Sequence, residues 1–186
     1  KQIRNDYSPE KITLRVDANG AFSPLEAKEK LQRLATLQIH SIEQPIRAGQ
    51  WNEMAELCQQ TPLPIALDEE LIGINATEKK IALLERVRPL FIILKPSLHG
   101  GISGSEEWIR LAQERNIGYW ITSALESNIG LLSIAQWAST FQLSIPQGLG
   151  TGALYTNNID LPLKINGEKL WIKGNTPLFK NINLLD

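Results

Sequence analysis

The stretch PIALDEELIGINATEKKIALLERVRPLFIILKPS, residues 64–97, reads as one complete β–α–β unit. Pro64-Ile65-Ala66-Leu67 is a short apolar run that stops at Asp68. Ile81, Leu84 and Val87 then recur at helical spacing, with Thr77 placed to cap the helix. Phe91 to Leu94 is a second apolar run, and it stops at Lys95. Strands joined through a helix run parallel, because only a long crossover returns the chain to the same edge of the sheet. Their C-terminal ends share one face, so Asp68 and Lys95 stand on the same side.

The same cadence extends in both directions. Upstream, Thr13 to Val16 ends at Asp17 in LRVDANG, and a strand at Ser41-Ile42 ends at Glu43, where Pro45 stops it. Asp17 to Glu43 is 26 residues, Glu43 to Asp68 is 25, and Asp68 to Lys95 is 27. Ser23-Pro24-Leu25-Glu26 has the form of a capping box with proline at the first helical position. Leu31, Leu34 and Ala35 continue its apolar stripe, and Asn52 to Gln59 reads as a short helix with Met54, Leu57 and Cys58 inside. Downstream, Ser105 is placed to cap a helix carrying Trp108, Leu111 and Ala112. Gly118 to Thr122 is a strand ending near Ser123, Asn128 to Phe141 is an apolar helix, and Leu143 to Ile145 opens a last unit.

Strict alternation of β and α predicts an α/β fold with a parallel sheet. One functional residue at each successive strand tip predicts a (β/α) barrel of the TIM type. A complete barrel takes about 250 residues. The 186 residues here are expected to supply about six βα units, an incomplete barrel over 1–160. Residues 161–186 are expected to form a tail, with a hairpin from Leu163 to Trp171 around Asn166-Gly167.

Composition narrows the function classes. Hydrophobic content of 42% and charged content of 21% are ordinary for a globular chain. A net charge of −1 gives no footprint for nucleic acid or an anionic membrane. Cys58, the single cysteine, forms no internal disulfide. No apolar run approaches the ~20 residues that span a bilayer. The polar opening KQIRNDYSPEK carries no signal-peptide pattern. A cytoplasmic enzyme is expected.

Three carboxylates on adjacent tips can present oxygens to Mg²⁺, with Mn²⁺ the alternative, and leave positions for a small-molecule carboxylate substrate. A cation there makes an α-proton acidic, and a neighbouring lysine amine with a lowered pKa can serve as the base. Lys95 is in reach of that role. Glu69 and Glu70 adjoin Asp68, and strand alternation aims only one side chain per position inward. Ser123 and Glu126 fall in phase with Lys95 and otherwise cap the following helix. Asn19 shapes the turn before Gly20. Gly100-Gly101 and the glycines from Gly148 to Gly152 offer amides to an anion. His40 and His99 lack metal-ligand spacing, and the five tryptophans read as packing.

LRVDANGAF, SIEQPI, IALDEEL, LKPSLHGGI and TSALESNIGL resemble the enolase superfamily, muconate-lactonising-enzyme subgroup. Within it, ALDEELIG, SLHGGISGSEEWI, SALESNIGL and GLGTGALYTNN are similar to the o-succinylbenzoate synthase family of menaquinone biosynthesis. The resemblance implies that Asp17, Glu43 and Asp68 ligate Mg²⁺. It implies that Lys95 is the sixth-strand lysine, which steadies the intermediate's charge while a second-strand lysine moves the proton. Ser123, Gly150 and Thr151 would contact the substrate's carboxylates. The implied reaction is dehydration of a succinyl-cyclohexadiene carboxylate, SHCHC, through an enediolate.

Two features depart from that family. Its Lys-x-Lys motif should precede Asp17, yet residues 1–16 hold only Lys1 and Lys11. Its N-terminal capping domain and first barrel strands have no counterpart. The chain is therefore expected to be an inactive fragment that pairs with the missing part or self-associates, its tail packing on the missing cap. A dipeptide epimerase or N-acylamino acid racemase is the alternative within the superfamily. Epimerases tend to carry Asp-x-Asp at the last strand, where this chain has Gly148-Leu149-Gly150-Thr151. A non-catalytic half-barrel assembly module is the alternative outside it.

Overall fold

Each expected tip closes a short strand in the computed structural model, which describes residues 1–150 and 154–172. Strands β1 (Arg15–Asp17), β2 (Ser41–Glu43), β3 (Ile65–Leu67), β4 (Phe91–Leu94) and β5 (Gly118–Ile121) lie in that order in one sheet. The first four pair in parallel, with Asp17 opposite Glu43, Glu43 opposite Ala66 and Leu67 opposite Ile92. A short helix α1 (Gln2–Asp6) precedes β1. Helices α2 (Pro24–Ala35), α3 (Trp51–Gln60), α4 (Thr77–Val87) and α5 (Gly101–Gln113) fill the four crossovers. Sequential strand order with one helix per crossover is the α/β winding the spacing predicts.

The helices turn their apolar stripes inward. Ala27 and Leu31, Met54 and Leu57, Leu83, Leu84 and Val87, and Trp108, Leu111 and Ala112 are all buried. Strand β3 is buried at every residue, as parallel strands covered on both faces must be. The capping box on α2 forms as expected: Ser23 Oγ accepts from the Glu26 N–H, and Glu26 Oε2 accepts from the Ser23 N–H. Such a cap contributes about 1 kcal/mol.

Two helix starts differ from expectation. Thr77 is the first residue of α4 rather than its cap; its hydroxyl donates to Glu107 Oε1 at 2.5 Å. Lys80 Nζ donates to the other Glu107 oxygen at 2.6 Å, so both residues tie α4 to α5. Helix α5 begins four residues before Ser105, because Gly100 adopts φ +81° and turns the chain into the helix early. Ser105 is then interior and buried, its hydroxyl donating to the Gly101 carbonyl at 3.0 Å.

The chain forms two compact units that divide between Trp120 and Ile121. In the second unit the expected strand Leu143–Ile145 is absent. Pro146 has no N–H for a ladder. The Gln147 side chain takes the ladder's place, accepting from the Ile121 N–H at 2.6 Å and donating to the Ile145 carbonyl at 2.6 Å. One bridge, Thr122 to Gly148, remains. Helix α6 (Asn128–Ala138) stops short of Phe141, and its cap is Ser127, not Ser123 or Glu126. Strands β6 (Leu163–Asn166) and β7 (Lys169–Ile172) form the hairpin, with Gly167-Glu168 as the loop and Asn166 paired to Lys169. Trp171 on β7 is 55% exposed and does not serve as packing.

Candidate metal-binding site at the strand tips

Asp17 ends β1 and is exposed; its Oδ1 accepts from the Asn19 N–H at 2.8 Å. That bond shapes a turn in which Asn19 and Gly20 both take positive φ, +46° and +67°. Gly20 N–H then donates to the Gln44 carbonyl at 2.7 Å. A Cβ on Gly20 would lie 2.9 Å from Arg47 Cα, so glycine is required by both conformation and space.

Glu43 ends β2 and is half-buried. Its carboxyl is pushed up to about 8, first by burial, then by the charge of Asp17 and by the hydrogen bonding and charge of Asp68; Lys95 pulls the other way. The carboxylates of the three tips therefore feel one another.

Asp68 follows β3 and is 1% exposed. The chain leaves the strand there at φ −121°, ψ −81°, and Glu69–Leu71 forms a 3₁₀ turn. Strand alternation stops at that point, and the next two carboxylates part: Glu69 feels the charges of Asp68, Asp17 and Lys95, whereas Glu70 turns to Gln44 and Gly49. Glu69 is pushed up by burial and by Asp68 and Asp17, although its own backbone and Lys95 oppose the shift. Glu70 is buried and accepts from Gln44 Nε2 at 3.1 Å and from the Gly49 N–H at 2.7 Å.

Lys95 follows β4, and its ammonium donates to Asp68 Oδ2. Burial alone would lower its pKa, but that bond and the charges of Asp68, Glu43 and Glu69 raise it. The surrounding carboxylates thus favour the protonated ammonium of Lys95. Its backbone N–H donates to His99 Nδ1 at 3.1 Å. Burial depresses His99 to about 4, so the ring is neutral and carries its proton on Nε2. Helix α5 closes over this corner at Gly104, where a Cβ would lie 2.0 Å from the His99 carbonyl oxygen.

The second unit carries the other expected site residues. Ser123 is buried, and its N–H donates to the Gly148 carbonyl at 3.2 Å. Gly148 leaves no room for a Cβ, which would fall 2.5 Å from Thr122 Oγ1. Gly150 is exposed, and Thr151 lies outside the described residues.

Two observations bear on a divalent cation, and they differ. Among the described residues no three His, Cys, Asp or Glu side chains are already gathered in metal-cage geometry. Yet Asp68 Oδ1 and Glu69 Oε2 are buried with no hydrogen-bond partner there. Among the described residues Lys95 acts on both Glu43 and Glu69, and the Arg15 guanidinium lies beside Glu43. The orphaned oxygens weigh more, because a buried acceptor without a donor costs about 1–3 kcal/mol. An all-oxygen donor set with unpartnered buried oxygens fits a hard cation such as Mg²⁺.

Sequence reasoning missed Gln44 and His99. Gln44 is fully buried directly after a tip carboxylate, and that position was its only local signal. His99 had none beyond its place in the loop after Lys95.

Residues 1–168 match the family model described as enolase C-terminal domain-like. The chain is 58% identical over 170 residues to the o-succinylbenzoate synthase of Desulfotalea psychrophila, spanning 91% of this chain and 46% of that protein. The crystal structure of MenC from Desulfotalea psychrophila LSv54 matches with a TM-score of 0.88 at 58% identity, over 90% of this chain and 47% of that one. The N-succinylamino acid racemase of Thermus thermophilus is 35% identical over 131 residues, 70% of this chain and 34% of that protein. The chain thus spans less than half the length of each of these relatives.

Proposed function

The chain belongs to the enolase C-terminal domain-like family, and from that premise we propose that it carries the cation-binding part of an o-succinylbenzoate synthase. The observation that carries the proposal is the crowding of carboxylates at the strand tips, with Lys95 bonded to the most buried of them. The 58% identity to a synthase supports the choice of reaction.

Asp17, Glu43 and Asp68 would hold Mg²⁺, or Mn²⁺ in its place. When bound, the cation draws charge from the substrate carboxylate and makes the adjacent C–H acidic. Lys95 keeps its proton because carboxylates surround it. It therefore serves as a fixed positive charge beside the developing enediolate rather than as the base. Ser123, Gly150 and Thr151 would contact the substrate's carboxylates.

The proton on SHCHC would be taken by a second lysine. Residues 1–16 offer only Lys1 and Lys11, and neither lies on a strand. The 186 residues alone are therefore expected to form no o-succinylbenzoate, and the five parallel strands to complete a barrel with further strands. No helix among the described residues is long and apolar enough to cross a membrane.

The 35% identity to a racemase favours a second reading, N-acylamino acid racemisation. Against it, Gly148-Leu149-Gly150-Thr151 lacks the acids that hold an α-ammonium group. Presenting the intact protein with SHCHC and with an N-succinylamino acid decides between them. Preferred turnover of SHCHC is expected; racemisation as the faster reaction would overturn the assignment.

A further inference from the structure

We infer that Gln44 is a positioning residue that holds the three carboxylate-bearing strand tips in one arrangement. The inference rests on the reading of Asp17, Glu43 and Asp68 as cation ligands.

Gln44 follows Glu43 in the chain and bonds both to the turn after Asp17 and to Asp68. It sits at φ +35°, a conformation uncommon for a side chain of its size, which turns its backbone between the neighbours. Its carbonyl accepts from Gly20 N–H at 2.7 Å, fixing the turn that follows Asp17. Its N–H donates to the Ala66 carbonyl at 3.0 Å, on the strand that leads to Asp68. Its side-chain Oε1 accepts from the Asp68 N–H at 3.2 Å and from the Glu70 N–H at 3.4 Å. Its Nε2 donates to the Ile46 carbonyl at 3.0 Å and to Glu70 Oε2 at 3.1 Å.

The second partner, Glu70, is buried as well and extends the grip to Gly49 N–H at 2.7 Å. Glu43 is the residue just before Gln44, so one residue ties the β1 turn through its backbone carbonyl and the β3 tip through its side-chain amide. A buried network in which every donor and acceptor is matched is stiff, and loss of one member leaves the others unpaired. Groups that orient ligating side chains typically carry about 10–100-fold in metal affinity.

Only an amide serves at position 44. Two backbone N–H groups need its oxygen, while a carbonyl and a carboxylate need its nitrogen. Gln44→Glu keeps the size and the oxygen but sets a second carboxylate oxygen against Glu70 and Ile46. The double change Gln44→Glu with Glu70→Gln restores a donor between the two side chains.

Mn²⁺ titration calorimetry on the intact protein, with a melting curve taken without added metal, tests the role. Q44E is expected to bind Mn²⁺ about 10–100-fold more weakly while keeping its circular dichroism. Q44E/E70Q is expected to regain most of that affinity, which a purely structural loss would not allow. Asp68→Asn is the reference and is expected to abolish binding. Unchanged affinity in Q44E alongside loss in Asp68→Asn overturns the positioning role alone, as does a double variant that regains nothing. Unchanged affinity in Asp68→Asn overturns the cation reading beneath it. If Q44E does not fold, Glu70→Gln alone replaces it, with weakening expected and unchanged affinity the overturning result.

Discussion

Lys95 holds Asp68: the ammonium bonds to Oδ2 of the carboxylate that is buried deepest of the three expected ligands. Removing the lysine leaves a buried charge without its partner. Lys95→Met is expected to cost about 3 kcal/mol of stability. It also leaves both Asp68 oxygens open to a cation, so Mn²⁺ should raise the melting temperature of the variant more than that of the wild type. Thermal unfolding with and without Mn²⁺ reads both effects; a variant that melts like the wild type would remove Lys95 from the site.

Stability should bend with pH in two opposed ways. Folded Glu43 keeps its proton up to about 8, while the unfolded chain releases it near 4.5. The folded state binds more protons between those values, so this group's contribution falls as pH rises from 4.5 to about 8. His99 works the other way: the unfolded ring takes a proton below 6.5, the folded ring only near 4, so its contribution falls as pH drops through that window. Urea unfolding across pH separates them. Glu43→Gln should flatten the alkaline loss and His99→Gln the acid loss.

Cation binding at pH 7 should release protons, because Glu43 is largely protonated there and must ionise to act as a ligand. Calorimetric titration of Mn²⁺ in buffers of different ionisation enthalpy counts the protons released. A release near one is expected from the wild type and near zero from Glu43→Gln.

Gly20→Ala should cost about 2 kcal/mol, since the new Cβ meets both a positive φ and the Arg47 backbone. The strain falls between the Asp17 turn and the β2 loop, so Mn²⁺ affinity should drop together with stability. Ser23→Ala is the control: it should lose about 1 kcal/mol of helix capping and leave Mn²⁺ affinity intact.

Asp17, Glu43, Asp68 and Lys95 were legible in the sequence because each ends an apolar run, and parallel strands bring all such ends to one face. Gln44 was not, because its role depends on a left-handed turn at position 44 and a 3₁₀ turn at Glu69–Leu71 that no local pattern announces. The surroundings of Lys95 were not legible either, because the carboxylates that raise its pKa come from other strands rather than from its neighbours in the chain. Leu143–Ile145 has a strand's composition, but Pro146 and the Gln147 amide take over the bonds a strand would make.

Turnover of SHCHC by the intact protein and by its Asp68→Asn variant, after EDTA and after Mg²⁺ is added back, tests the metal assignment most directly. The wild type should fall silent in EDTA and recover with Mg²⁺, while Asp68→Asn stays folded and inactive in both. Wild-type turnover untouched by EDTA, or an Asp68→Asn variant that turns over at the wild-type rate, would contradict it.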